Sequence, residues 1–276
     1  MPSVLITGCS SGFGLETAKL FLDRGWRVIA TMRNPRTDIL PVSDKLIVLP
    51  LDVTDATSVA GAIERAGDID VLVNNAGFGA GVPIELIEPE TARQLFETNT
   101  LGTLAMLQAV LPQFRARRSG VIVNVTSTVT LKPLPLVSVY RASKAAVNAL
   151  TESLAVEMEP FGVRVHIVLP GRSPETQFGN NAMPHLRGLD NPDYKPLIEG
   201  MIANFREDSG PMTHPGDVAE AVWRAATDAN APLRIPAGAD AVQWLADAGD
   251  PQAAALAASA IEPSGPARSP SRGATT

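Results

Sequence analysis

Two residues in the run Tyr140-Arg141-Ala142-Ser143-Lys144 are of types that can move a proton. Four positions are slightly more than one helical turn, so a helix puts the Tyr140 phenol and the Lys144 ammonium on one face. A positive charge nearby favours the phenolate and lowers a tyrosine from its usual value near ~10. A tyrosine held this way exchanges protons near neutral pH and can act as a general acid or base. The bland alternative is a solvated helix face. The pair acquires chemical meaning only if other groups converge on it.

A second chemical signal is Gly8-Cys9-Ser10-Ser11-Gly12-Phe13-Gly14, which lies between the apolar run Ser3–Thr7 and an amphipathic pattern over Leu15–Arg24. Strand, glycine-rich turn and helix in that order cradle a dinucleotide phosphate. The glycines let backbone approach the pyrophosphate, and the helix N-terminus offers free N–H groups and a positive dipole end. The spacing Gly-x3-Gly-x-Gly matches neither the Gly-x-Gly-x2-Gly fingerprint nor a lysine-terminated phosphate loop. An ordinary flexible turn is the alternative. In the next strand, Trp26–Met32, Ala30, Thr31 and Met32 offer no acid to bind a ribose diol and Asp38 comes late, beyond Pro35, whereas Arg33 and Arg36 offer charge, Arg33 as a guanidinium suited to a 2′-phosphate. A surface charge is the other reading of Arg33. The residues therefore favour NADP(H) over NAD(H).

Asp52-Val53 follows the third strand, Leu46–Leu51, where Asp52 is a candidate for the adenine amino group. Asp55 reads as the N-cap of a helix over Ala56–Arg65. Asn74-Asn75-Ala76-Gly77 follows the strand Asp70–Val73 and could brace the sheet and pass under a cofactor, or be a plain Asn-rich turn. Asn99 interrupts an apolar helical pattern over Thr91–Arg117; asparagine is a poor interior helix former, so a buried amide there needs partners. Arg115, Arg117 and Arg118 read as a solvated helix end complementing the dipole.

These groups need a scaffold. Strand patterns continue at Gly120–Val125, Val163–Leu169 and Leu233–Ile235, with helices between them, including the one bearing Tyr140. Alternating strands and helices predict an α/β fold: a Rossmann-like, doubly wound parallel sheet of about seven strands with helices on both faces. The glycine turn, Asp52, Asn74–Gly77, Ser127 and Pro170-Gly171 each follow the C-terminal end of a strand, the edge where ligands collect. Residues 1–261 read as one domain. Within it, 172–210 lose the periodic pattern and read as a substrate loop or lid, because Met, Leu, Ile and Phe are embedded among Pro, Asn and Gly. Helices are expected over Gly216–Asp228, Asp240–Ala248 and Pro251–Ile261, and residues 262–276 read as a disordered tail.

The chain has 276 residues, 45% hydrophobic and 19% charged, with net charge −6. That suits a packed domain and speaks against nucleic acid or an anionic membrane as partner. One cysteine, Cys9, excludes an internal disulfide. No run approaches 18 apolar residues, so no membrane span is expected. A cytoplasmic setting fits, and no metal site is expected; His166, His185 and His214 receive no role.

Taken in order, Thr7-Gly8-x3-Gly12-x-Gly14, Asn74-Asn75-Ala76-Gly77, Asn99, Ser127, Tyr140-x3-Lys144 and Pro170-Gly171 resemble the short-chain dehydrogenases/reductases, from about Ser3 to Gly171. Ser127 lies thirteen residues before Tyr140, as is typical of that family. The resemblance implies that Ser127 polarises a substrate carbonyl, Tyr140 transfers the proton, Lys144 lowers Tyr140 and holds the nicotinamide ribose, and Asn99 anchors a water linking Lys144 to solvent. It implies a cofactor site of Gly8, Ser10, Ser11, Gly12, Phe13, Gly14, Arg33, Asp52, Val53, Asn75, Ala76, Gly77, Tyr140, Lys144, Pro170 and Gly171. A small-molecule carbonyl or alcohol substrate and a homodimer or homotetramer complete the expectation, and the apolar residues over Met183–Phe205 suggest a lipophilic substrate, steroid- or retinoid-like or an aryl ketone. The family pattern is departed from in Thr128–Val139, which carries Lys132 and two prolines, in Thr176, one place late after Pro170-Gly171, and in Ser11, where relatives place a base. The alternatives are a non-catalytic NADP(H) sensor or scaffold, and a dehydratase or epimerase.

Overall fold

Short apolar runs become strands because pairing on both sides and helices on both faces leave no edge of the run in water. The computed structural model describes residues 1–206 and 210–249. Strands β1 (Ser3–Ile6), β2 (Arg27–Met32), β3 (Leu46–Pro50), β4 (Val71–Asn74), β5 (Gly120–Val125), β6 (Val163–Pro170) and β7 (Arg234–Ala237) form one sheet in the order β3-β2-β1-β4-β5-β6-β7. Every pairing is parallel. The helices are α1 (Gly12–Asp23), α2 (Ala56–Ala66), α3 (Pro89–Phe96), α4 (Gly102–Arg117), α5 (Ser138–Met158), α6 (Phe178–Ala182), α7 (Lys195–Arg206), α8 (Pro215–Thr227) and α9 (Ala239–Asp247).

The period of two divides each strand between two cores. Val4 and Ile6, Val71 and Val73, and Val121 and Val123 face the side of α1 and α8. Leu5, Leu72 and Ile122 face the other side, against α2, α4 and α5. Fully burying each such side chain contributes roughly 1.5–3 kcal/mol. On the first face Phe21, Trp26 and Trp223 meet edge to face at 5.0–5.6 Å, tying α1 to α8. Asp55 caps α2 as expected, its Oδ1 accepting from the Thr57 and Ser58 N–H groups at 2.8 and 3.3 Å.

The chain winds outward from β1 to β3, then returns so that β4 pairs with the other side of β1. The loops after β1 and β4 therefore diverge and open a crevice at the C-terminal edge of the sheet.

Several expectations change in detail. The continuous helical pattern over Thr91–Arg117 divides into α3, a π-helical turn at Glu97–Leu101, and α4. The widened turn contains Asn99, whose side chain bonds outside the helix, as described below. Arg117 and Arg118 are not merely solvated: Arg117 donates to the Ile69 carbonyl, and Arg118 takes a left-handed φ of 51° and donates to the Pro160 carbonyl at 2.5 Å. The segment expected to be a substrate loop or lid holds α6, a 3-10 turn at Met183–His185, and α7. The helix expected over Pro251–Ile261 and the tail over 262–276 lie outside the described residues. Among the described residues, no helix is long and apolar enough to cross a membrane, and no cluster of three His, Cys, Asp or Glu is placed to hold a metal.

Candidate active site

Helix α5 carries Tyr140 and Lys144 inward, and both are buried, at 6% exposure each. Its entry is fixed by Leu136, which takes a left-handed φ of 67° and accepts from the Val82 N–H at 2.7 Å. A buried leucine in that region is strained, and such strain persists where surrounding contacts over-determine it. Ser127 follows β5 in extended backbone and starts a 3-10 turn, its Oγ accepting from the Val129 N–H at 3.3 Å. The Ser127 hydroxyl lies near enough to the Tyr140 phenol to favour its ionised form. Serine and tyrosine, thirteen residues apart in the chain, are thus brought together.

Behind them, Lys144 Nζ donates to the Val125 carbonyl at 3.0 Å. Asn99 clamps the chain after β4: its Oδ1 accepts from the Phe78 N–H and its Nδ2 donates to the Phe78 carbonyl, both at 3.0 Å. Its Nδ2 also reaches Ser143 Oγ at 3.0 Å, one residue before Lys144. The π-helical turn lets this amide spend its bonds on Phe78 and α5. At Gly77 a Cβ would stand 2.8 Å from Asn99 Oδ1 and 3.2 Å from Lys144 Nζ, so glycine is what allows these two to close on the loop.

The spacing alone predicts that Lys144 lowers Tyr140. Burial reverses this in the structure. Removal from water pushes the Tyr140 phenol up to about 12, and the nearby Ser127 hydroxyl only partly opposes it. The same burial brings the Lys144 ammonium down to about 8, with a charged form that costs more than in water. Near neutral pH the chain by itself holds Tyr140 as a protonated phenol and Lys144 as an ammonium.

The glycine turn forms a tight cradle. Gly8 and Gly12 take left-handed φ of 74° and 58°, and a Cβ at Gly8 would lie 2.9 Å from Ala76 Cα. A Cβ at Gly14 would overlap the Gly8 carbonyl oxygen. Ser11, the N-cap of α1, makes no side-chain cap bond, so the first N–H groups of that helix have no side-chain acceptor from it. Asn75 braces the turn from below, its Nδ2 donating to the Thr7 and Gly8 carbonyls at 2.9 and 3.1 Å. Thr7 Oγ1 accepts from the Asn75 and Ala76 N–H groups, each at 2.9 Å. Asn74 turns into the sheet instead, donating to Asn124 Oδ1 at 2.8 Å.

The other cofactor candidates line the same edge. Ser10 is exposed, Phe13 is half-buried against the α1 core, and Arg33 lies exposed within electrostatic reach of Asp52. Asp52 is held below the usual carboxylate range, first by the Thr54 N–H and also by the Arg33 charge. Its Oδ1 accepts from Thr54 N and Oγ1 at 3.0 and 2.7 Å. Val53 packs so closely on Gly102 that a Cβ there would lie 2.6 Å from its Cγ2. Pro170-Gly171 is pinned by two residues with no local signal in the sequence: Thr213 Oγ1 accepts from the Gly171 N–H at 2.9 Å, and Asp240 Oδ2 from the Arg172 N–H at 2.6 Å. The chain after Arg172 then passes over the cradle, with the Thr176 side chain 3.5 Å from a Cβ built on Gly12. An uncapped helix start, glycine backbone with no room for side chains, and an arginine beside Asp52 fit the phosphates and adenosine of a dinucleotide.

Comparison with known proteins agrees with this geometry. The short chain dehydrogenase family model matches residues 2–185. The chain belongs to the short-chain dehydrogenase family. Among its relatives, the 3-ketodihydrosphingosine reductase of Bacteroides thetaiotaomicron is 34% identical over 255 residues, covering 88% of this chain and 93% of the relative. A short-chain dehydrogenase from Streptomyces avermitilis superposes with a TM-score of 0.76 at 32% identity, over 93% of this chain and 95% of that one. A short chain dehydrogenase from Burkholderia cenocepacia, solved with NADP, superposes with a TM-score of 0.72 at 30% identity, over 95% and 98% of the two chains. The seven-stranded parallel sheet is thus that of this oxidoreductase family.

Proposed function

We propose that this short-chain dehydrogenase is an NADP(H)-dependent oxidoreductase that interconverts a ketone or aldehyde with its alcohol, on a lipophilic substrate. The observation that carries the reading is that the Ser127 hydroxyl acts on the buried Tyr140 phenol, backed by buried Lys144 and Asn99. Bound in the cradle, the nicotinamide would supply or accept the hydride. The chain's own residues supply the proton and the field. Ser127 donates a hydrogen bond to the carbonyl oxygen and polarises it. Tyr140, a protonated phenol in the resting chain, gives its proton to that oxygen in reduction and takes it back in oxidation. Lys144 places a cation behind the phenol that stabilises the phenolate left by the transfer, and is positioned to meet the nicotinamide ribose. Asn99 keeps the Phe78 loop and Ser143 in register with Lys144; after reduction a proton passes from Lys144 back to the Tyr140 phenolate, and Lys144 regains one from solvent through a water held beside Asn99. Holding these groups against the reacting carbonyl replaces a costly encounter in solution.

Arg33 supports NADP(H): a guanidinium at the end of β2 pairs with a 2′-phosphate, whereas Asp52 is already occupied by Thr54. The NADP-bound relative from Burkholderia cenocepacia is in line with this. The apolar residues packed around Tyr140, and a relative named 3-ketodihydrosphingosine reductase, support a lipophilic carbonyl.

The test is a panel of ketones, aldehydes and alcohols followed by NADPH absorbance, with Tyr140→Phe beside the native chain. Turnover in the native chain and its loss in the variant, with NADPH still bound, is the expected result. An active Tyr140→Phe variant would sink the mechanism, and absence of any carbonyl turnover would sink the function.

A further inference from the structure

Phe178 opens α6, and its ring lies against the Tyr140 ring with centroids 5.4 Å apart and planes tilted by 55°. The far edge of the same ring enters a notch at Gly79. A Cβ there would overlap Phe178 Cζ and stand 2.9 Å from Cε1, so only glycine leaves space for the ring. The notch is held rigidly, because Asn99 fixes both backbone groups of the preceding Phe78. Phe78 in turn faces His185, at 5.1 Å between ring centroids, farther along the chain. Val82, Leu86, Val129, Val137 and Val139 complete the wall around Tyr140 and Phe178.

We propose that Phe178, seated in the Gly79 notch, is the specificity-determining residue of this site. Its ring fills the space beside Tyr140 that the substrate needs. A substrate gains that space by presenting an apolar chain or ring next to its carbonyl, which stacks on or replaces the phenylalanine. This inference rests on Tyr140 being the proton donor.

The physical reason is the carbonyl's geometry. An oxygen reaching both Ser127 and Tyr140 leaves two substituents on the carbonyl carbon, and one must face the ring and the valine wall. A polar substituent there gives up water and finds no partner among these apolar side chains. A methyl or ethyl group is too small to repay displacement of a ring that already packs on Tyr140. A longer alkyl chain or an aryl group recovers the lost contact.

Two measurements test this. In the first, a pair of ketones differing only in size, such as butanone and an eight- to ten-carbon or aryl ketone, is compared in Phe178→Ala, Phe178→Leu and the native chain. Phe178→Ala is expected to raise kcat/KM for butanone severalfold, because no ring has to be displaced, and to lower it for the large ketone, which loses its stacking partner, so that the large-to-small preference falls about tenfold, the leucine variant falling between. Gly79→Ala, which pushes the ring out of its notch, should change the preference in the same direction. Equal losses on both ketones would overturn the proposal.

The second measurement needs no activity. Tetranitromethane nitrates accessible tyrosines, and the chain has two, which peptide mass resolves. Without cofactor, Tyr140 should resist nitration in the native chain and react at least about fivefold faster in Phe178→Ala and Gly79→Ala. Matching circular dichroism excludes unfolding as the cause. An unchanged rate would overturn the proposed seat of Phe178. If no carbonyl is turned over, the function proposed above fails by itself, and the nitration rates still accept or reject the contact.

Discussion

Replacing Lys144 with methionine should make the protein more stable at pH 7 while stopping its chemistry. Burial lowers Lys144 from 10.5 to about 8. Each unit between the two states is ~1.4 kcal/mol, so carrying the charge in the fold costs about 3 kcal/mol relative to carrying it in the unfolded chain. The sign follows from proton counts. Between about 8 and 10.5 the unfolded chain binds the proton and the folded chain does not, so this group's contribution to stability rises with pH through that window. Below about 8 the full cost is present. Methionine keeps most of the stem and cannot be charged, but it gives up the bond to the Val125 carbonyl. That bond, made by a charged donor, is worth about 1.5–3 kcal/mol. The net gain expected at pH 7 is therefore up to about 1.5 kcal/mol, or ~3–6 °C in Tm for a domain of this size. At pH 10, where the native lysine is neutral, the gain should vanish or change sign. Melting curves of both proteins at the two pH values measure the difference directly, and NADPH oxidation measures activity. A variant no more stable at pH 7 than at pH 10, relative to the native chain, would refute the argument that burial sets the state of Lys144.

Arg33→Asp should weaken NADPH binding by about ten- to a hundredfold and leave NADH much less affected, because a charge-assisted bond is lost and a like charge faces the 2′-phosphate; fluorescence titration of both cofactors decides it. Asn99→Ala should lower stability by about 2–3 kcal/mol, seen in urea melts, since both Phe78 backbone groups lose their partner. Asp240→Asn keeps the side-chain shape but turns an amide donor toward either the Arg172 N–H or the Ala241 N–H, both of which the carboxylate now accepts. It should cost about 1–3 kcal/mol and raise KM for the cofactor severalfold by loosening Gly171. A cofactor KM equal to that of the native chain would leave Asp240 as a structural residue only.

The order of strands and helices was legible because each strand is an apolar run and each turn chemistry is local. Ser3–Ile6, the glycines after it and α1 are neighbours in the chain, and Asp55 caps the helix it immediately precedes. The phosphate cradle follows from such neighbours, since left-handed φ at Gly8 and Gly12 and an open helix start require nothing distant. The break at Asn99 was half legible. A polar residue in an apolar stretch announced a buried amide, but the π-helical turn depends on Phe78, 21 residues away.

Other features had no sequence signal because they are made between distant segments. Thr213 and Asp240 meet Gly171 and Arg172 only after β6, β7 and the start of α9 are in place. Phe178 reaches Gly79 across the whole of α3, α4, β5, α5 and β6.

The amino-acid order by itself determined which side chains carry chemistry. Tyr140 and Lys144 share a helix face by spacing alone, and Ser127 ends a strand by pattern alone. Only the tertiary structure decided their protonation. Spacing puts an ammonium near a phenol and argues for a lowered tyrosine, yet burial raises Tyr140 to about 12 and lowers Lys144 to about 8. Distance along a helix is written in the sequence; exclusion of water is set by every segment that packs over the site, from the Asn99 turn to the Phe178 ring.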